Sequence, residues 1–154
     1  LDNVSVCNSS TTMTIVDRTV ENEIMTESVA PTLRSTSPAN SSSTTNCETS
    51  ISVTFSESMK TSSVTTNTSN TTCSGSVQLS SNSFSSCIEM GASPTASNSD
   101  KTFTLTPSSA ITNSTTYKIK VTTDVKDTSG NPMDSDNTTG TGFTTAGDSG
   151  KLGC

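Results

Sequence analysis

The chain has 154 residues with a net charge of −6, no histidine and 3% aromatic residues, a length that holds one domain, or one domain plus an arm, rather than two independent cores. Its few Lys residues are dispersed, which excludes the basic face that DNA or RNA demands, and no apolar run approaches the length of a membrane span. Ser and Thr make up roughly two-fifths of the residues and the apolar share is 27%, well below the usual half of a globular domain, so disorder is the first reading to test.

In chain order, residues 1–30 read as an N-terminal arm, with alternating Val4/Val6 and then Met13 and Ile15, followed by an acidic stretch, ENEIMTES. A start at Leu1, with neither an initiator Met nor a signal-like segment, reads as a processed, mature form. Pro31 opens PTLRSTSPAN, whose two prolines fit an edge strand running into a loop. Strands are then predicted at 50–56, around 75–80, around 86–90, at 101–106, 116–123 and 141–145, separated by Gly, Pro, Asn and Ser punctuation. The apolar residues Ile51/Val53/Phe55, Val77/Leu79, Phe103/Leu105 and Tyr117/Ile119/Val121 fall on alternate positions, a period that disordered polar tracts do not keep. Abundant Thr and Val suit a pleated surface. The fold class is therefore all-β, a sandwich of about seven strands over residues 31–146, with a tail at 147–154.

PTLRSTSPAN, ISVTFSESMK, KTFTLTPSSAITNSTTYKIKVTTDVKDTSGNPM and GFTT, in that order, resemble the bacterial Ig-like domain of the kind first associated with S-layer proteins. The resemblance runs from about Pro31 to Thr145 and implies an Ig-like β-sandwich used as a surface module, usually repeated or attached to other domains. The arm and the insertion CSGSVQLSSNSFSSC depart from that pattern. Within it, ISVTFS is the second core strand, Met59 closes one end, and Tyr117 either packs in the core or ties down a neighbouring loop through its hydroxyl.

The chemistry of catalysis is missing. A serine nucleophile needs a base, and the usual one is absent with His. Lys118 and Lys120 alternate with Tyr117, Ile119 and Val121 and are expected at the sheet surface. Glu21, Glu23 and Glu27 lie in a solvated charged segment. No enzymatic activity and no cofactor are expected. DVKDTSGNPMDSD offers Asp124, Asp127, Asn131, Asp134 and Asp136 as oxygen ligands for calcium, but its glycine is misplaced for an EF-hand. The plainer reading is a tight turn with Gly130 and Asn131 in left-handed geometry.

Five cysteines in a small chain argue for an oxidising, extracellular or cell-surface location. With no His and no C-x-x-C pair, a metal site lacks its usual spacing. Cys73 and Cys87 bracket a strand-like VQLSS and a turn-like SNSF, so they are expected to bond across a hairpin. Cys7, Cys47 and Cys154 remain for a second or an intersubunit bond. Asn3, Asn8, Asn40, Asn67, Asn70, Asn113 and Asn137 open N-x-S/T sequons, and glycans on these or on the Ser/Thr tracts stay open.

Two functions compete. One is a secreted structural subunit that assembles head to tail with copies of itself, by donating a strand of the arm (Val4, Val6, Met13, Ile15) to a neighbour, with Cys7 bonding Cys47 or Cys154 there. The other is an adhesin or ligand-binding module whose arm folds back on its own sheet.

Overall fold

The alternating segments become two facing sheets in the computed structural model of the chain, which describes residues 5–8, 11–14, 28–43, 45–147 and 154. Strands β1 (Ser5–Asn8) and β2 (Thr11–Thr14) pair antiparallel, Ser5 opposite Thr14 and Asn8 opposite Thr11. Among the described residues they form a two-stranded sheet of their own. The sandwich elements follow: β3 (Leu33–Ser37), β4 (Ile51–Phe55), β5 (Val77–Ser80), β6 (Thr95–Ser97), β7 (Thr102–Leu105), β8 (Thr116–Val121), β9 (Asn137–Thr138) and β10 (Phe143–Thr144).

The first sheet has the order β3-β4-β7-β6, all antiparallel, with Val53 opposite both Thr36 and Phe103. In the second, β8 lies between β5 on one side and β9 and β10 on the other. The latter two act as one interrupted strand, Phe143 opposite Tyr117 and Thr138 opposite Lys120. The interruption turns on Gly142, whose φ is +82° and where a Cβ would sit 2.2 Å from the Tyr117 carbonyl oxygen. Only glycine meets both conditions without displacing β8.

The inward positions of both sheets form one core. Ile51, Val53 and Phe55 of β4 and Phe103 and Leu105 of β7 face Leu79 of β5 and Tyr117, Ile119 and Val121 of β8, all buried. Phe55 and Phe103 meet edge to face at 6.0 Å and Tyr117 stacks on Phe143 at 5.9 Å, so a chain with few aromatic rings concentrates them where they exclude the most water. Met59, Val125 and Met133 close the end at which β3 begins, and Cys47, Ile111 and Ala146 close the other. Tyr117 serves both roles weighed for it: while buried, its hydroxyl accepts the Thr112 N–H at 3.0 Å and pins the turn before β8.

Two expectations need correction. Residues 86–90 form no strand. Ile88 donates a single N–H to Leu79 O at 2.8 Å and Met90 one to Asn67 O at 2.9 Å, because two loop segments share the flank of β5 that a full strand would occupy. In the acidic loop only Gly130 is left-handed, with φ +95°, since Asn131 is held instead by hydrogen bonds to Asp127. Conversely β6 and β9, with burial patterns of exposed or half-exposed residues, carry no apolar alternation and went unpredicted.

Candidate functional site

A surface module acts through its edges, faces and ends, and the sheets treat these differently. The outer flank of β5 is covered: Val77 donates to Thr65 O at 2.9 Å, Thr66 Oγ1 donates to Val77 O at 2.9 Å, and Ile88 meets Leu79. The flank of β10 is covered as well. After the cis Ser37–Pro38 bond the chain leaves the first sheet and runs along β10, Ser41 donating to Gly142 O and Thr45 bridging Thr145 in parallel. Asn40 Oδ1 locks this crossing by accepting the N–H groups of Thr141 and Gly142 at 3.0 and 2.8 Å. The first sheet instead ends in β3, which carries a bulge between Leu33 and Ser35, and in the three-residue β6. These are its two edge strands. Beside the start of β3 lies a cleft of about 220 Å³ lined by Pro31, Thr32, Leu33, Met133, Asp134, Ser135 and Asn137.

The outer face of the first sheet is made of hydroxyls. Pairing aligns Ser35, Thr54, Thr102 and Ser97 in one rank and Ser37, Ser52, Thr104 and Thr95 in the next. Thr54 and Thr102 hydrogen-bond side chain to side chain at 3.1 Å, and Ser50 and Thr106 do so at 2.8 Å. The second sheet presents Lys118 and Lys120 instead, the latter paired with Asp136 at 3.2 Å and 5.8 Å from the centre of the Phe84 ring. The surplus of Ser and Thr is thus partly spent on cross-strand pairs.

Cys73 and Cys87 are bonded, and so are Cys47 and Cys154. The first bond joins the loop before β5 to the loop after it, beside a hydrogen bond from Cys87 N–H to Thr71 O, rather than two strands of a hairpin. The second ties residue 154 to the turn before β4, with the Cys47 N–H donating to the Cys154 sulfur at 3.1 Å. This corrects the expected link from Cys7 to Cys47 or Cys154 of a neighbour, because those two thiols are consumed within the chain. Of five cysteines, Cys7 is the one outside both bonds. Cys7, Val6 and Met13 lie in the β1–β2 hairpin, while Val4 and Ile15 fall outside the described residues.

The acidic loop separates its oxygens. Asp124 Oδ2 accepts the Thr122 hydroxyl at 3.0 Å, and Asp136 takes the Thr123 N–H at 3.0 Å together with Lys120. Asp127 accepts both the backbone and the side-chain N–H of Asn131 at 2.8 Å. Burial pushes the Asp127 pKa up, but the hydrogen bonds from Asn131, Gly130 and Ser129 hold it below the ordinary value. The Thr123 N–H and then Lys120 do the same for Asp136. Among the described residues no group of three or more metal-ligating side chains converges, and no helix is long and apolar enough to cross a membrane.

The family profile described as "Bacterial Ig-like domain" matches residues 27–145. No curated protein matches the chain. Among solved structures, the N-terminal part of the bacterial S-layer protein SbsC is similar over 77% of this chain with a TM-score of 0.53 at 19% identity. A second SbsC structure, rSbsC(31-844), covers the same share at 0.51 and 21% identity, and domains 1–6 of that surface layer protein do so at 0.51 and 20%. The chain spans 24% of the first of these and 14% of each of the others.

Proposed function

Since the chain belongs to the bacterial Ig-like domain family, we propose that it is a secreted structural subunit that assembles with copies of itself into an extracellular filament or surface layer. Fold likeness to a bacterial S-layer protein supports a place at the cell surface, and two disulfides suit an oxidising exterior. Catalysis has no part in this reading, and glycans on the exposed loops are compatible with it.

The observation that carries the assembly step is the β1–β2 hairpin, which among the described residues pairs with itself and with neither sheet of the sandwich. A hairpin has two outer edges whose N–H and C=O groups seek partners, and β3 is an edge strand with the same need. Addition of the arm to β3 of the next copy satisfies both, and the apolar residues Val4, Val6, Met13 and Ile15 supply side chains for the cleft beside Leu33. Donation from one end to the next does not close on itself unless the rotation makes a ring, so its product is an open array.

Deleting residues 1–20 tests this reading. The intact chain is expected to form filaments or sheets visible by electron microscopy, and the truncated protein to lose them while keeping its melting temperature within a few degrees. Assembly that survives the deletion, or an intact chain that stays monomeric at high concentration under oxidising conditions, removes strand donation and favours a ligand-binding module.

A further inference from the structure

Of the sequons in the described sandwich, the structure leaves one open to modification, and we propose that Asn70 is an N-glycan acceptor. The inference rests on the reading of the chain as an exported surface protein. An acceptor asparagine must offer its amide nitrogen, and the hydroxyl two residues on must be reachable by the transferring enzyme. Asn67 fails on the first count. It is 3% exposed, and its Nδ2 donates to Asn70 O at 2.8 Å and to Ile88 O at 3.1 Å. The others fail on the second. Ser42 Oγ, two residues after Asn40, is buried. Thr115 Oγ1, after Asn113, donates to Asn113 O at 2.7 Å. Thr139 Oγ1, after Asn137, is drawn into the ladder by the Ile119 N–H at 3.0 Å.

Asn70 meets both conditions. Asn70, Thr71 and Thr72 are exposed, and the Asn70 side chain uses only its oxygen, which accepts the Thr72 N–H at 2.8 Å. That bond brings the amide over the residue whose hydroxyl defines the sequon, and it occupies the oxygen rather than the nitrogen. The backbone beneath is fixed: Asn70 O accepts the Asn67 amide, Thr71 O the Cys87 N–H and Thr72 O the Ser74 N–H, with the Cys73–Cys87 bond next to it. The motif is therefore presented as a rigid, outward tip.

The co-reactant is a glycan activated as a polyprenyl diphosphate. Asn70 Nδ2 attacks the anomeric carbon, a C–N bond forms as the C–O bond to the diphosphate breaks, and the polyprenyl diphosphate leaves with the electron pair. One amide proton is passed to the transferring enzyme's base. No oxidation or reduction takes place.

The test uses the full chain recovered from the cells that make it. After reduction and trypsin, Lys60 and Lys101 bound a peptide that contains both Asn67 and Asn70, and electron-transfer fragmentation assigns the glycan between them. A glycan on Asn70 and none on Asn67 is expected. Asn70→Gln and Thr72→Ala should each abolish it, and Thr72→Ser should keep it. An unmodified Asn70, a glycan on Asn67, or a glycosylated peptide that persists in both loss variants overturns the proposal. An unmodified chain that still assembles leaves the structural role intact while ending this inference.

Discussion

At the scale of single residues, a buried polar group ties together one end of the sandwich. Asp127 is buried within its own loop at the end of the sandwich, beside solvent, and its carboxylate takes two Asn131 hydrogen bonds. Met59, one of the residues closing that end, bridges to it across the gap. Because the folded-state pKa of Asp127 is lowered by those bonds, its contribution to stability is complete above the unfolded value of about 3.9 and is lost as pH falls through the lower folded value. Asp127→Asn is therefore expected to lower the melting temperature by several degrees at neutral pH. The gap between variant and parent should begin to narrow below about pH 4, where the unfolded chain takes up the proton, and close only below the lower folded value, where the native carboxylate does so as well. Thermal melts at neutral and acidic pH check this, and a gap that is constant with pH would mean that the carboxylate's charge is irrelevant.

At the scale of elements, stability depends on a few inward residues per strand. Phe103 is buried against Phe55 in the middle of the first sheet, and Phe103→Ala should cost about 3–5 kcal/mol, a large part of the roughly 5–15 kcal/mol available to a domain. Chemical denaturation measures it, and an unchanged midpoint would exclude Phe103 from the core. What the sequence revealed follows the same division. Strands β4, β7 and β8 were legible because one side of each is buried, as in the alternation of Ile51, Val53 and Phe55. Strand β6 was not, because Thr95–Ser97 has only half-buried Ala96 facing inward and its neighbours look like any other Ser/Thr tract. The segment 86–90 misled for the opposite reason: Ile88 and Met90 are apolar on alternate positions but cover an edge instead of extending a ladder. Nor could the hydroxyl ranks be read, since each Ser or Thr gains its neighbours only through register. The local Cys73–Cys87 bond spans 14 residues, whereas Cys47–Cys154 spans 107, and a pairing that distant is fixed by topology alone.

At the scale of the whole molecule, the sandwich has direction. The chain enters beside Leu33, opposite Phe55, and β10 runs toward the other end, where Thr144 meets Thr116. Residue 154 is bonded to Cys47 at that far end. A pull applied between the arm and residue 154 would therefore pass through the sulfur bridge into Cys47, and once β3 has been drawn away from β4 residues 48–153 would carry no tension. The load falls on β3 and β4, drawn from opposite ends of an antiparallel pair, so their hydrogen bonds are strained together in shear rather than opened one after another. At about 3.3–3.6 Å per residue, the oxidised chain should yield a contour length of roughly 160 Å in single-molecule stretching, against roughly 520 Å after reduction. An oxidised chain that extends to the longer value would show that the bridge does not bear the force. Covalent closure at one end thus makes a module held by few apolar contacts into one whose larger part tension cannot unravel.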